Sequence, residues 1–326
     1  MSRVISFINL KGGVAKTTTL VQVAETLAFM RGQRVLVLDL DPQTNATIAL
    51  MGEDAWERVD EAQQTVAQLF LDQIHGTRTF ELPRAIVRGV SNLNRITIPA
   101  ELQLRPELLY PRIDLLPSSI RLIEAQDRMA DIPQRSHYTL SPMEVIRRHV
   151  APVFGQYDYV LIDCPPNLGY ITQNGLEVSD DYLIPTIPDR LSTYGIPQIV
   201  RSIADIQRAR DLRIQLLGVA VTKYDSRSRT HKAGLDLLPA LIRRACQDAG
   251  VPRAPLFETI MPQANATAEA MDSQHSPGNF RDKYSRSQSG GRALYEYPVA
   301  LTAELLEEIE RQTAQLMGAG AAPVSR

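Results

Sequence analysis

The chain has 326 residues, a formal charge of −2 and a pI near 6.2, with 44% hydrophobic and 22% charged residues. This composition suits a globular protein with a full core and excludes a largely disordered chain. The near-neutral charge gives no overall attraction to nucleic acid, so DNA binding would require a local basic patch. Two cysteines far apart in sequence, Cys164 and Cys246, offer neither a disulfide framework nor a thiolate cluster.

The N-terminal residues predict a strand, a turn and a helix. Val4 to Ile8 is a short apolar run, and apolar residues recur at helical spacing from Leu20 to Leu27. Because the strand starts so close to Met1, the sequence has no space for a signal peptide, and no apolar run approaches the roughly 18 residues of a membrane span. We therefore predict a cytoplasmic protein. Between strand and helix lies the run Lys11-Gly12-Gly13-Val14-Ala15-Lys16-Thr17-Thr18.

This run has the chemistry of a phosphate-binding loop. Glycines let backbone N–H groups approach an anion closely, and the N-terminus of the following helix favours negative charge. Lys16 is placed to reach the β- and γ-phosphates, and Thr17 to bind Mg²⁺. Leu10 and Ala15 stand where the general pattern has glycine, so the loop is a variant, K-G-G-x-x-K-T. The plain alternative is a glycine turn with two solvated lysines.

Further apolar runs predict parallel strands buried on both faces, at 34–39, 159–163, 182–185 and 216–222. Strands that alternate with helical stretches indicate an α/β fold with right-handed crossovers. We predict a P-loop NTPase fold, a predominantly parallel sheet flanked by helices.

We predict one domain over 1–317. It carries an insertion beside the sheet at about 52–113 and a mobile basic loop at about 272–291, which is rich in Ser, Gly and Gln. The tail, 318–326, is predicted to be disordered. The predicted helix from Thr302 to Met317 is amphipathic but acidic, so we expect it to pack on the protein rather than on a membrane.

The variant loop resembles that of the ParA/MinD group of P-loop ATPases, and of ParA/Soj-type partition ATPases in particular. The resemblance implies ATP and Mg²⁺ as cofactors. It also implies that Lys11 reaches across a dimer to the partner's ATP phosphates, and that Lys11 and Lys16 act in catalysis together with Asp41. The residues implied to bind nucleotide in the loop are Gly12, Gly13, Val14, Ala15, Lys16, Thr17 and Thr18.

Two acidic motifs extend the resemblance. Asp39-Leu40-Asp41-Pro42-Gln43 is similar to the group's switch I signature, which implies that Asp41 positions the attacking water and Asp39 supports Mg²⁺. A strand capped by an Asp-Pro turn is the alternative. Asp163 begins a D-C-P-P run similar to the Walker B strand, which implies that it holds Mg²⁺ together with Thr17. Lys223 and Pro262 match segments that frame the adenine in relatives.

In the DNA-binding members, arginines after the Y-D turn contact nonspecific DNA, and Arg227 matches that position. Additional candidates are Arg229, Lys232, Arg243 and Arg244, and the alternative for each is a solvated surface charge. Resemblance thus implies an ATP-dependent homodimer that binds nonspecific DNA in the nucleoid and is released when a ParB-like or adaptor partner stimulates hydrolysis. The competing hypotheses are a metabolic or assembly P-loop enzyme and a nucleotide-regulated protein-binding module without DNA binding.

Overall fold

The structure is a computed structural model, and it describes residues 2–95, 113–274 and 277–318. Its main strands are β1 (Arg3–Phe7), β2 (Val35–Asp39), β3 (Ile113–Leu116), β4 (Tyr159–Asp163), β5 (Asp181–Thr186), β6 (Gln215–Tyr224) and β7 (Leu256–Pro262). They form one sheet in the order β3-β2-β4-β1-β5-β6-β7, and every pair in it is parallel. The predicted α/β fold with a predominantly parallel sheet is confirmed.

Helices cover both faces of the sheet. In chain order they are α1 (Lys16–Glu25), α2 (Asn45–Met51), α3 (Glu53–Glu61), α4 (Val66–His75), α5 (Leu82–Ala85), α6 (Leu122–Arg128), α7 (Ile132–Arg135), α8 (Val145–His149), α9 (Tyr170–Val178), α10 (Arg190–Arg210), α11 (Arg229–Ala249), α12 (Asn265–Glu269), α13 (Phe280–Lys283) and α14 (Glu296–Gly318). A short antiparallel pair, β8 (Gln288–Ser289) and β9 (Arg292–Ala293), lies before α14. None of the described helices is both long and apolar enough to cross a bilayer.

The core has two apolar layers because successive side chains of a strand point to opposite faces. In β2, Leu36 and Leu38 join the layer covered by α4 and α9, while Val35 and Val37 join the layer covered by α1. All of β2 is buried, which explains its nearly continuous apolar sequence. The carboxyl ends of the parallel strands therefore meet at one edge of a rigid, packed sheet.

The predicted insertion at 52–113 contributes to this core. Phe70 and Ile74 of α4 are completely buried in the first layer. Val87 forms an antiparallel bridge with Leu115, and Ile113 is already the first residue of β3. The described part of the region therefore packs on the sheet through its apolar helix α4, and its interpretation as an insertion stays a prediction. Residues 96–112 lie outside the described residues.

The segment predicted as a mobile basic loop, 272–291, contains α13 and β8 in its described part. Its Lys283 is fully buried and pairs with Glu25 at the end of α1, with Nζ 2.7 Å from Oε1. Ser91 and Tyr284 donate hydroxyl hydrogen bonds to the same carboxylate, and Lys283 also bonds the side-chain oxygen of Asn92. We call these five residues the Glu25 cluster. Since the Lys283 ammonium is buried against a carboxylate, it does not add to the positive surface charge predicted for this segment.

The C-terminal helix α14 packs on the protein, as predicted. Leu301 and Leu305 are buried in the layer over α1. The carboxylate of Glu304 accepts hydrogen bonds from the backbone amides of Glu258 and Thr259 on the edge strand β7. The predicted disordered tail is 318–326; Gly318 is the last residue of α14, and 319–326 lie outside the described residues. The predicted single-domain boundaries stay a prediction.

Candidate functional site

The glycine-containing loop leaves the carboxyl end of β1 and enters α1 at Lys16. Gly13 has a φ of +76°, and Ala15, the residue just before the helix, also lies in the left-handed region with a φ of 58°. Glycine adopts this region without strain, whereas an alanine there is uncommon and is held by its surroundings. The run from Gly12 to Thr18 thus forms a tight turn that leads into the first turn of α1 and directs backbone amides away from the sheet.

Strand β6 supports the loop from the side. The hydroxyl of Thr222 donates to the carbonyl of Val14 at 2.8 Å, and Lys223 Nζ donates to the carbonyl of Gly13 at 2.9 Å. Lys223 has a φ of 48°, so its backbone is also in the left-handed region. The structure brings this predicted adenine contact to the loop itself. Pro262 lies nearby at the end of β7, where it pairs in register with Tyr224.

Lys16 is the centre of a buried charge cluster. Its Nζ is 2.5 Å from Asp163 Oδ1 and 3.4 Å from Asp41 Oδ2. Burial opposes the charged form of Lys16, but the carboxylates of Asp163 and Asp41 outweigh that effect and raise its pKa. We call Lys16 with Asp39, Asp41 and Asp163 the phosphate-loop cluster. Lys16 therefore stays fully cationic, as a phosphate-binding lysine must.

Asp39 and Asp163 end neighbouring strands and are paired in register, which brings two buried carboxyl groups to the same edge. Asp39 accepts hydrogen bonds from the amide and hydroxyl of Thr47 at 2.9 and 2.7 Å, and from the amide of Asp41. Burial and the nearby Asp163 raise the pKa of Asp39 to about 7, despite these hydrogen bonds. Burial also raises the pKa of Asp163, although Lys16 and Thr17 oppose that shift.

The side chains at this edge fit a magnesium site of the kind completed by phosphate and water. Thr17 Oγ1 donates to Asp163 Oδ2 at 2.6 Å, so the hydroxyl and the carboxylate implied to hold the metal are adjacent. Among the described residues, no three His, Cys, Asp or Glu side chains form a metal cage on their own. Mg²⁺ usually keeps several waters and takes only one or two protein ligands beside nucleotide phosphates, so this pair is sufficient.

The backbone of Asp41 is held in place as well as its carboxylate. The hydroxyl of Ser118, just after β3, donates to the carbonyl of Asp41 at 2.7 Å, and the amide of Ser118 donates to the Thr47 hydroxyl at 3.0 Å. Trp56 Nε1 in turn donates to the carbonyl of Ser118 at 3.0 Å. Thr47, Trp56 and Ser118 carried no functional prediction. Their role depends on contacts between distant segments.

Lys11 contacts residues outside the phosphate-loop cluster. Its Nζ contacts Asp189 Oδ2 and Oδ1 at 3.0 and 3.3 Å and Ser192 Oγ at 2.9 Å. Asp189 is also the N-cap of α10 and accepts a hydrogen bond from the Ser192 amide. Burial works against ionisation of Asp189, but the Ser192 and Lys11 hydrogen bonds prevail and lower its pKa. No role was predicted for Asp189 from the sequence.

The residues predicted to bind DNA are all exposed, and they lie in two separate parts of the structure. Arg227 lies in the turn after β6 and forms an ion pair with Asp225, while the others lie on α11. On that helix Arg244 approaches Asp248 at 3.6 Å. The remaining three are Arg229, Lys232 and Arg243. Because they are spaced 3 and 11 residues apart, they lie on one face of the helix.

Comparison with known proteins identifies a family and several relatives of this chain. A family model described as an AAA domain matches residues 2–216. The sporulation initiation inhibitor protein Soj of Bacillus subtilis is 31% identical over 228 residues, which cover 70% of this chain and 75% of Soj. The chromosome partitioning protein ParA of Caulobacter vibrioides is 27% identical and covers 77% of this chain, with 80% of ParA matched.

A solved structure extends the likeness over nearly the full length. It is the crystal structure of cobyrinic acid a,c-diamide synthase from Mycobacterium smegmatis with bound ADP and magnesium. Its TM-score is 0.64 at 26% identity, with 95% of this chain and 96% of that chain covered. The fold described above is therefore shared with a protein that binds an adenine nucleotide with magnesium.

Proposed function

Because this chain belongs to the AAA-domain family and is homologous to the Soj and ParA partition ATPases, we propose that it is a Mg²⁺-dependent ATPase that positions DNA or another cargo. ATP assembles two subunits, the dimer binds nonspecific DNA, and an adaptor partner stimulates hydrolysis and release. The observation that carries the proposal is the buried Lys16 ammonium, which lies at the start of α1 and contacts both Asp163 and Asp41.

Each residue at the site has a part in phosphoryl transfer, which depends on positioning and charge neutralisation more than on covalent chemistry. Backbone amides from Gly12 to Thr18 and the Lys16 ammonium bind the phosphates. Thr17 and Asp163 hold Mg²⁺, which when bound neutralises charge on the phosphate oxygens. Asp39 supports that metal site, and Asp41 orients the attacking water.

Lys16 and Lys11 have different tasks in this proposal. Lys16 exchanges part of its contact with Asp41 and Asp163 for phosphate oxygens of the nucleotide in its own subunit. Lys11 contacts Asp189 and Ser192 in its own subunit, and in the dimer its Nζ serves a nucleotide bound by a second copy. Hydrolysis would then be complete only in the dimer, which couples assembly to nucleotide state.

The first experiment measures ATP turnover and assembly together. We expect wild-type protein with ATP and Mg²⁺ to sediment as a dimer and to hydrolyse ATP, whereas Asp41→Ala should form the dimer and hydrolyse at least about 100-fold more slowly. Asp205→Ala, an exposed position on α10, is the matched control and should behave as wild type. A protein that stays monomeric with ATP and Mg²⁺ contradicts the proposal.

The DNA step is tested separately on α11. A triple substitution to alanine of Arg229, Lys232 and Arg243 should weaken binding of ATP-loaded protein to random duplex DNA and reduce its salt dependence by about one unit of slope per lost phosphate contact. Arg84→Ala, which removes an exposed arginine from α5, supplies the control. Unchanged binding by the triple variant would move the DNA surface elsewhere.

A second candidate is a metabolic P-loop enzyme that uses ATP to activate a small substrate. It is favoured by the likeness to cobyrinic acid a,c-diamide synthase over 95% of the chain. ATP turnover that requires a small carboxylic acid and ignores DNA would select this candidate. ATP turnover stimulated by DNA and a partner protein would select the first.

A further inference from the structure

We propose that Asp189 and Ser192 form a latch that holds Lys11 within its own subunit and must open before Lys11 can contact the nucleotide of a second subunit. The inference rests on the proposed function, since it assumes an ATP-dependent dimer. It adds two positioning residues to the site and predicts that removing them favours assembly.

The latch uses the full hydrogen-bonding capacity of the lysine. An ammonium group has three donors and no acceptor. Both carboxylate oxygens of Asp189 and the hydroxyl of Ser192 lie between 2.9 and 3.3 Å from Lys11 Nζ. With all three donors directed at these acceptors, Lys11 cannot also bind a phosphate without leaving at least one of them.

The acceptor side of the latch is fixed in place. Asp189 caps the long helix α10, and its carboxylate bonds the amide of Ser192 at 2.7 Å. Helix α11 packs closely against the loop that precedes Asp189. A Cβ on Gly234 of α11 would overlap the carbonyl oxygen of Pro188. Movement of this loop toward α11 is therefore blocked, and we expect the latch to open through departure of the Lys11 side chain.

The lysine side is fixed only at its backbone. Asn9 accepts a hydrogen bond from the Lys11 amide and donates one to the carbonyl of Pro185 on β5. The Lys11 side chain is 37% exposed and that of Asp189 is 25% exposed. An ion pair this accessible to water is weak enough to be exchanged for a phosphate, which carries more negative charge than one carboxylate.

Asp189→Asn tests the latch with little harm to the helix, because Asn and Asp are comparable N-caps. We expect the dimer formed with a nonhydrolysable ATP analogue and Mg²⁺ to become about 5- to 25-fold tighter, since two weak pairs open for each dimer. Ser192→Ala should give a smaller change in the same direction. Asp205→Asn, which removes an exposed carboxylate from the same helix, is the control and should leave the dimer unchanged.

Sedimentation velocity across a range of protein concentrations measures the dimer dissociation constant of each variant. All of them should remain monomeric without nucleotide. Thermal unfolding checks that the caps are intact, and Asp189→Ser, which also caps a helix, replaces Asp189→Asn if the latter fails to fold.

The outcomes separate this inference from the function on which it rests. If wild-type protein dimerises and Asp189→Asn dimerises equally or more weakly, the latch is refuted while the proposed ATPase stands. If no protein dimerises with the analogue, both fail. A dimer that tightens in Asp189→Asn and again in the Asp189→Asn/Ser192→Ala double variant supports the latch.

Discussion

The two ends of α1 carry two buried charge clusters, and they differ in their balance of charge. At its C-terminal end, the Glu25 cluster pairs one carboxylate with one ammonium, and neutral side chains complete the hydrogen bonds. At its N-terminal end, the phosphate-loop cluster has three carboxyl groups and one ammonium: Asp41 and Asp163 contact Lys16, and Asp39 lies beside Asp163. A balanced pair satisfies itself, whereas an excess of buried carboxyl groups requires either a proton or a metal cation.

The shifts in pKa follow this difference. Burial raises the pKa of Asp39 to about 7, and the negative charge of the neighbouring Asp163 adds to that effect. In the Glu25 cluster, burial and the Glu25 carboxylate raise the pKa of Tyr284, so its hydroxyl keeps its proton and donates to that carboxylate. The phosphate-loop cluster is therefore suited to binding a cation. The Glu25 cluster is suited to holding α1, the 91–92 turn and α13 together.

Lys16→Ala should have the largest effect on activity, and it should also lower stability because it leaves the buried carboxylates of Asp163 and Asp41 without their cation. Removing the only ammonium from the phosphate-loop cluster takes away the main phosphate contact, so we expect ATP hydrolysis to fall by about 1,000-fold or more. A steady-state phosphate-release assay measures the loss. If Lys16→Ala kept more than a tenth of wild-type activity, this cluster would not be the site of hydrolysis.

Lys283→Met should destabilise the fold, because it leaves the buried Glu25 carboxylate without its partner. We expect the free energy of unfolding in urea to fall by about 3–5 kcal/mol. Arg84→Met breaks an exposed pair with Glu81 and should cost less than about 1 kcal/mol.

The double variant Glu25→Leu/Lys283→Met sharpens the same comparison. Because it removes both charges together, it should recover most of the stability lost by Lys283→Met. A double variant as unstable as the single one would show that the hydrogen bonds of the cluster, not its charge balance, dominate.

Stability should fall as pH rises from about 4 to 7, because Asp39 has a higher pKa in the folded chain than in the unfolded chain. The folded state then binds the proton more tightly, so its advantage is full below pH 4 and is lost as Asp39 ionises near pH 7. We expect Asp39→Asn to remove up to about 4 kcal/mol of this pH dependence. Urea unfolding of both proteins at pH 5, 6, 7 and 8 measures it, and parallel pH profiles would contradict the expectation.

The smallest predicted effect is optical. Trp56, the single tryptophan in the sequence, is two hydrogen bonds from Asp41 through Ser118. Binding of ATP and Mg²⁺ should shift the emission maximum of Trp56 slightly, because its indole N–H is hydrogen-bonded to a residue that moves with Asp41. Ser118→Ala should reduce the shift. A shift that survives in Lys16→Ala would mean that Trp56 reports on something other than the phosphate-loop cluster.

The sequence determined the parts of the protein that are local. Each acidic or glycine-containing motif stands at the end of an apolar run: the loop from Lys11 to Thr18, the pair Asp39 and Asp41, and Asp163. The carboxyl ends of parallel strands meet at one edge of the sheet, so these motifs come together. The fold class and the existence of a phosphate-loop cluster could therefore be predicted from short stretches of sequence.

Only the tertiary structure decided which distant residues complete these parts. Lys283 is 258 residues from Glu25, and Asp189 is 178 residues from Lys11. Neither partner lies in a periodic or repeated pattern, because a single buried ion pair leaves no trace in the spacing of its neighbours. A lysine in a polar segment looks the same in sequence whether water or a buried carboxylate surrounds it, and the packing of the folded chain makes that choice.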